Sequence, residues 1–225
     1  MAADVISTAE ARKEMLRRVR AAIGAPAADA AAIDVEWVTL PRGYRRAASL
    51  DREAILELLE DRLRDYDATV VRASAGGVAA EIACLIAARN VHSIVVPVGL
   101  AEAIGEELPG GFEFTVDAGF SSAELDGFEG VVTASTVAIA ETGTIVLQNV
   151  PGQGRRAPTL VPDYHLCVVR AEDVVETVPE AMDRLALSAT LATTFISGPS
   201  ATADIEMTRI KGVHGPRFLD VILVV

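Results

Sequence analysis

From Leu50 onward, short runs of branched apolar residues alternate with stretches whose apolar positions recur at helical spacing. Ile55, Leu58, Leu59 and Leu63 share one face of a predicted helix over 51–65. Residues 69–73, 93–97 and 112–116 read as strands, separated by a helix ending near Arg89 and a short helix near 100–108. Further strands are expected at 131–133, 144–147, 165–169, 193–196 and 218–225, with a helix over 172–187. Short apolar strands alternating with amphipathic helices predict an α/β domain, a mostly parallel open sheet with helices on both faces.

The first 45 residues differ. Ser7 and Glu10 have capping-box spacing, and Leu16, Val19 and Ile23 then recur on one helical face until Gly24 and Pro26. Residues 25–34 read as a linker. The expected organisation is an N-terminal helical arm and linker over 1–45, followed by a single domain over 46–225. The arm's apolar stripe suits packing on the body or in a homo-oligomer.

Composition narrows the class. The chain has 225 residues, 51% of them hydrophobic but only 4% aromatic, so Ala, Val, Leu and Ile must build the core. A formal net charge of −12 argues against nucleic acid or an anionic membrane as partner. Residues 1–140 carry 22 acids against 13 bases, whereas 141–217 carry 9 against 7, which leaves the later region room for an anion site. Cys84 and Cys167 both sit in apolar runs and read as buried, reduced thiols, with no cysteine cluster for iron–sulfur or zinc. No apolar run approaches about 18 residues and no signal-peptide profile opens the chain, so a soluble, cytoplasmic protein is expected.

Candidate chemistry concentrates in three patches expected on turns at strand ends, where α/β proteins commonly bind ligands. In AETGT, Glu141 is a candidate base or nucleophile flanked by Thr142, Gly143 and Thr144; alternatively it is a turn carboxylate accepting backbone N–H groups. In SGPSATADIE over 197–206, Ser197 is placed to cap a helix beginning at Pro199. Gly198, Ser200 and Thr202 would line an anion site, and Asp204 would orient a hydroxyl or an imidazole. In GVHGPR over 212–217, His214 is the candidate proton carrier and Arg217 a two-pronged carboxylate holder. The plainer alternative is an ordinary capped helix start for the second patch and a conventional turn for the third. His92 and His165 read as structural, and no spacing favours a metal. Ser74-Ala75-Gly76-Gly77 is a weak phosphate-cradle candidate, and Arg155 and Arg156 read as a solvated basic loop, with steering of an anionic substrate or contact with a partner as the alternative.

AETGT at 140–144, LVPDYHLCVV at 160–169, FISGPSATADIE at 195–206 and GVHGPR at 212–217, in that order, resemble the LUD domain family of lactate utilization proteins. The resemblance covers roughly residues 45–225. It implies a fold similar to the ribose-5-phosphate isomerase, glucosamine-6-phosphate deaminase and CoA-transferase superfamily. It also implies a part in a multi-protein system that oxidises L-lactate to pyruvate. Larger relatives carry ferredoxin-like cysteine clusters, which this chain lacks. No cofactor is therefore expected in this chain; iron–sulfur or flavin would sit on partner subunits, including an iron–sulfur protein. CoA-transferases of that fold use a glutamate preceding a glycine turn, a role that maps onto Glu141 only by analogy. Two alternatives stay open: a stand-alone enzyme on a sugar phosphate or acyl-CoA, and a non-catalytic ligand-binding scaffold.

Overall fold

The structure, a computed structural model, describes residues 8–24, 29–202, 210–212 and 214–225. The chain divides into two compact units, Met1–Tyr44 and Arg45–Val225. The first unit holds helices α1 (Thr8–Ile23) and α2 (Ala30–Thr39). Of the linker expected over 25–34, the second helix overturns the part from Ala30 onward, while 25–28 lie outside the described residues: alanine favours helix, and the Asp29 side chain accepts from the Ala31 N–H to cap it.

The second unit runs α3 (Arg52–Asp65), β1 (Thr69–Ala73), α4 (Val78–Arg89), β2 (Ser93–Val96), α5 (Leu100–Ile104), β3 (Glu113–Val116), α6 (Ser122–Leu125) and β4 (Gly130–Ala134). It continues with β5 (Val137–Ile139), β6 (Thr144–Gln148), β7 (Tyr164–Arg170), β8 (Val174–Val175), α7 (Val178–Leu185), β9 (Thr193–Ile196), β10 (Ala201–Thr202), β11 (Ile210–Lys211) and β12 (Phe218–Val224).

Six strands form a fully parallel sheet in the order β1-β12-β7-β4-β2-β3. One face is covered by α4 and α5, with Ile82, Ile86 and Leu100 on Ile94, Leu166 and Ile222. The other face packs on α3, through Leu59 and Leu63, and on a second sheet of order β8-β5-β6-β9. That second sheet was not anticipated: 144–148 and 193–196 belong to it rather than to the parallel sheet. Its outer face, with Val137, Ile139 and Val146, lies under Ala181 and Leu185 of α7.

The helix expected over 172–187 begins only at Val178. Thr177 and Glu180 make a reciprocal capping box, and Pro179 is tolerated only in the first turn. Upstream, Val174 and Val175 are spent on pairing with β5. Cys84 corrects another expectation. Val78, Ile82, Leu85 and Ile86 form the buried face of α4, which leaves Cys84 exposed; Cys167 is buried. Among the described residues, no helix is long and apolar enough to cross a membrane.

Candidate functional site

A cleft of about 170 Å³ opens where β7 and β12 begin. The loop before β7 supplies Arg156 and Thr159, and β7 supplies His165. The segment after β9 supplies Ser197, Gly198 and Ser200, and the loop before β12 supplies His214. The cleft therefore lies at the amino ends of these two parallel strands. The glycine-rich segments fold back over the amino ends, because β9 leaves the second sheet beside them.

Backbone hydrogen bonds explain how two of the patches meet. The Ser200 N–H donates to Pro216 O at 2.8 Å, and the Gly212 N–H donates to Ser200 O at 3.0 Å. The His214 N–H donates to Ser200 Oγ at 3.3 Å. These bonds replace the helix expected at Pro199: Ala201 and Thr202 instead pair antiparallel with Ile210 and Lys211. Gly198, at φ +82°, lies against Tyr66, where an added Cβ would come within 2.5 Å of the Tyr66 Cβ. Only glycine fits that turn.

The third patch reaches the cleft indirectly. Thr142 Oγ1, Thr144 Oγ1 and Ser197 Oγ form a chain of hydroxyls with both spacings at 2.7 Å. Gly143, at φ +57°, packs on the backbone of Arg62, a packing role rather than a ligand contact. Glu141 does not line the cleft; its carboxylate is paired with Arg45. Arg45 also holds the buried Glu176, whose pKa is drawn down to about 2 by the Leu50 N–H, by Arg45 and by Ser49. Arg217 is likewise engaged elsewhere. Its guanidinium makes a two-pronged contact with Asp163 at 2.7 and 2.6 Å. Asp204 and the side chain of Thr202 lie outside the described residues. The weak phosphate cradle at Ser74–Gly77 is filled from within: Glu106 accepts the Val78 and Ala79 N–H groups at the start of α4.

Arg156 and His165 carry the electrostatics of the cleft. Arg155 is held by Asp117, at 2.7 and 2.9 Å. Its neighbour Arg156 turns the other way and donates to Thr159 Oγ1 at 3.1 Å. Arg156 makes no ion pair with a carboxylate among the described residues. The residue as a whole stays exposed, yet its guanidinium is desolvated enough to lower its pKa. A cation that pays desolvation without a counter-charge is suited to receive one from a ligand.

His165 is 2% exposed, and its Nε2 lies 2.8 Å from Thr133 Oγ1. Burial, with the Arg156 charge as a lesser cause, pushes its pKa down to about 3, so the imidazole is neutral. In unfolded chain it protonates near 6.5. Between these values the unfolded state binds the extra proton, so stability falls as pH drops and is lost fully only near the folded pKa. Unfolding free energy should therefore fall by about 2 kcal/mol between pH 6.5 and about pH 4.5, as read by urea titration. His165→Asn should remove most of that slope; an unchanged slope in the variant would mean that His165 does not carry it.

The LUD domain family model matches residues 56–224. A lactate utilization protein C from Deinococcus radiodurans is 41% identical over 97% of this chain and 97% of its own length. One from Bacillus velezensis is 23% identical over 91% and 92% of the two chains. The crystal structure of a DUF162 family protein from Deinococcus radiodurans superposes with a TM-score of 0.67 at 38% identity, covering 78% of this chain and 99% of that one.

Proposed function

This chain belongs to the LUD domain family, and from that premise we propose that it serves L-lactate utilization as the subunit that binds a small anion. In this reading electrons pass to partner subunits, among them an iron–sulfur protein, because the chain's own cysteines are two isolated free thiols. The observation that carries the binding role is Arg156: a desolvated guanidinium, without a carboxylate partner among the described residues, in the wall of a cleft. Ser197, Ser200, Thr159 and His214 surround it with further polar groups.

The size of the cleft separates this reading from its rivals. About 170 Å³ lies below the roughly 300–1,000 Å³ of pockets for larger ligands, which disfavours an acyl-CoA. A stand-alone transferase built on Glu141 also has little support, since Arg45 neutralises that carboxylate away from the cleft.

Deleting the gene should abolish growth on L-lactate while leaving growth on pyruvate intact, and co-purification from native cells should bring down a chromophore-bearing partner. Normal growth on L-lactate in the absence of a paralogue would overturn the role. Isolation from such cells as a colourless lone protein would overturn the partner.

A further inference from the structure

β7 meets a second cavity at its other end. About 260 Å³ opens past Ala134 and Arg170, the last residues of β4 and β7. The carboxyl ends of neighbouring parallel strands are where open α/β sheets commonly receive ligands. Ser135, Gln153, Arg170, Glu172 and Asp173 make its polar wall, and no residue of the anion cleft lines it.

Asp173 is the unmatched member of this wall. Its side chain is half-buried, and among the described residues its carboxylate receives no hydrogen bond and no ion pair. Three arginines lie near it, but each is tied to a backbone carbonyl. Arg52 donates to Val174 O at 2.8 Å, Arg184 to Glu172 O at 3.2 Å and Arg170 to Ala103 O at 2.7 Å. Burial, helped by the Glu172 charge, raises the Asp173 pKa in spite of them. A desolvated carboxylate without a bound counter-ion is suited to receive a cation. The wall also offers donors. Arg170 has five N–H groups, one of them on Ala103, and stands 3.5 Å from Glu172. Gln153 is 7% exposed, and its Oε1 accepts from the Gln148 N–H at 2.7 Å and from Thr136 Oγ1 at 2.9 Å. A backbone N–H only donates, which fixes that atom as the oxygen. Gln153 Nε2 therefore points elsewhere, and it makes no hydrogen bond among the described residues.

We propose that this cavity binds a small zwitterion, a short amino acid whose ammonium meets Asp173 and whose carboxylate meets Arg170 and Gln153 Nε2. The cavity has room for about eight heavy atoms at roughly 30 Å³ each, enough for alanine. A neutral polyol would give Asp173 hydrogen bonds without a counter-charge, which are the weaker kind. A bare amine would satisfy Asp173 and leave the donors of the wall without an acceptor. This site goes beyond the small-anion reading and stands apart from it, since the two cavities share no lining residue.

The test compares L-alanine, ethylamine and glycerol by calorimetry on the full chain, with the ¹³C carboxyl resonance of Asp173 as a second readout. L-Alanine should bind at least about 10-fold tighter than either of the others. Bound alanine should also lower the pH at which the Asp173 carboxyl titrates, because an adjacent ammonium favours the charged form. Asp173→Asn should weaken alanine binding by about 10-fold or more. Excess L-lactate should leave alanine binding unchanged. Competition between the two would place the amino acid in the anion cleft, overturning this site and leaving the small-anion reading intact. Ethylamine or glycerol binding as tightly as alanine overturns the zwitterion. Should Asp173→Asn fail to fold, the parent protein decides: an Asp173 titration unmoved by bound alanine overturns the ammonium contact. Absence of alanine binding overturns the inference outright.

Discussion

Arg156→Gln should weaken binding of L-lactate to the purified chain by about 100-fold, which corresponds to roughly 2.7 kcal/mol. The loss is large because the glutamine retains hydrogen-bonding capacity but removes the charge, and charge-assisted contacts are the strong ones. The same substitution should leave thermal stability unchanged or slightly raised. Arg156 carries a desolvation penalty with no carboxylate among the described residues to offset it, so its removal relieves the folded state. Opposite movement of affinity and stability marks a residue kept for binding. Arg155→Gln supplies the contrast. Its guanidinium is taken by Asp117 and the Phe120 carbonyl, so that variant should lose stability and keep its affinity. Equal affinity of Arg156→Gln and the parent protein, measured by calorimetry at low salt, would remove the basis for the anion site.

Asp220→Ala should cost about 3–5 kcal/mol of unfolding free energy. Asp220 is 1% exposed on β12, on the sheet face opposite the cleft. It accepts from Arg89 at 3.1 and 2.5 Å and from the Tyr164 hydroxyl at 3.0 Å. Burial raises the Tyr164 pKa, so the phenol stays protonated and remains the donor. Truncating Asp220 strands a part-buried cation and a buried hydroxyl together, which is the costly way to break a buried ion pair. Removing both charges should be much less damaging. Arg89→Met with Asp220→Leu should recover more than half of the loss, as measured by urea unfolding at pH 7. A single-variant loss below about 1 kcal/mol would show that the pair is effectively solvated.

The two lines of substitution probe different parts of one strand pair. Asp220 ties β12 to α4 on the outer face, while Leu219, one residue earlier, faces the cleft between the sheets. Strand alternation thus lets one segment serve the core bracing and the site wall at once.

Much of the scaffold was legible in the residues. Strands such as Tyr164–Arg170 and Phe218–Val224 are near-continuous apolar runs, as buried parallel strands must be, and α3 shows its buried face directly in Ile55, Leu59 and Leu63. Those signals are local, because each follows from the period of the backbone. The assignment of β6 and β9 to a second sheet was not legible, since pairing partners are chosen by distant strands. The early start expected for α7 came from reading apolar periodicity through Pro179, where capping chemistry decides instead.

The site was read less well. Ser197, Gly198, Ser200 and His214 do line one cleft, but Glu141 and Arg217 are held by Arg45 and Asp163. A reactive residue type near a glycine turn does not reveal whether another chain segment has already neutralised it. His165 offered one overlooked signal: with Cys167 it makes a polar pair two residues apart in an otherwise apolar strand, hence on one face.

Sequence alone determined the α/β class, the family and the polar segments from which the cleft is drawn, because periodicity, turn chemistry and motif order are written locally along the chain. Only the tertiary structure decided which of two adjacent arginines meets the cleft, and that His165 stands buried against Thr133 in its wall. Those facts depend on Asp117, which holds Arg155, and on Thr133, residues far away in the chain and brought close only by folding.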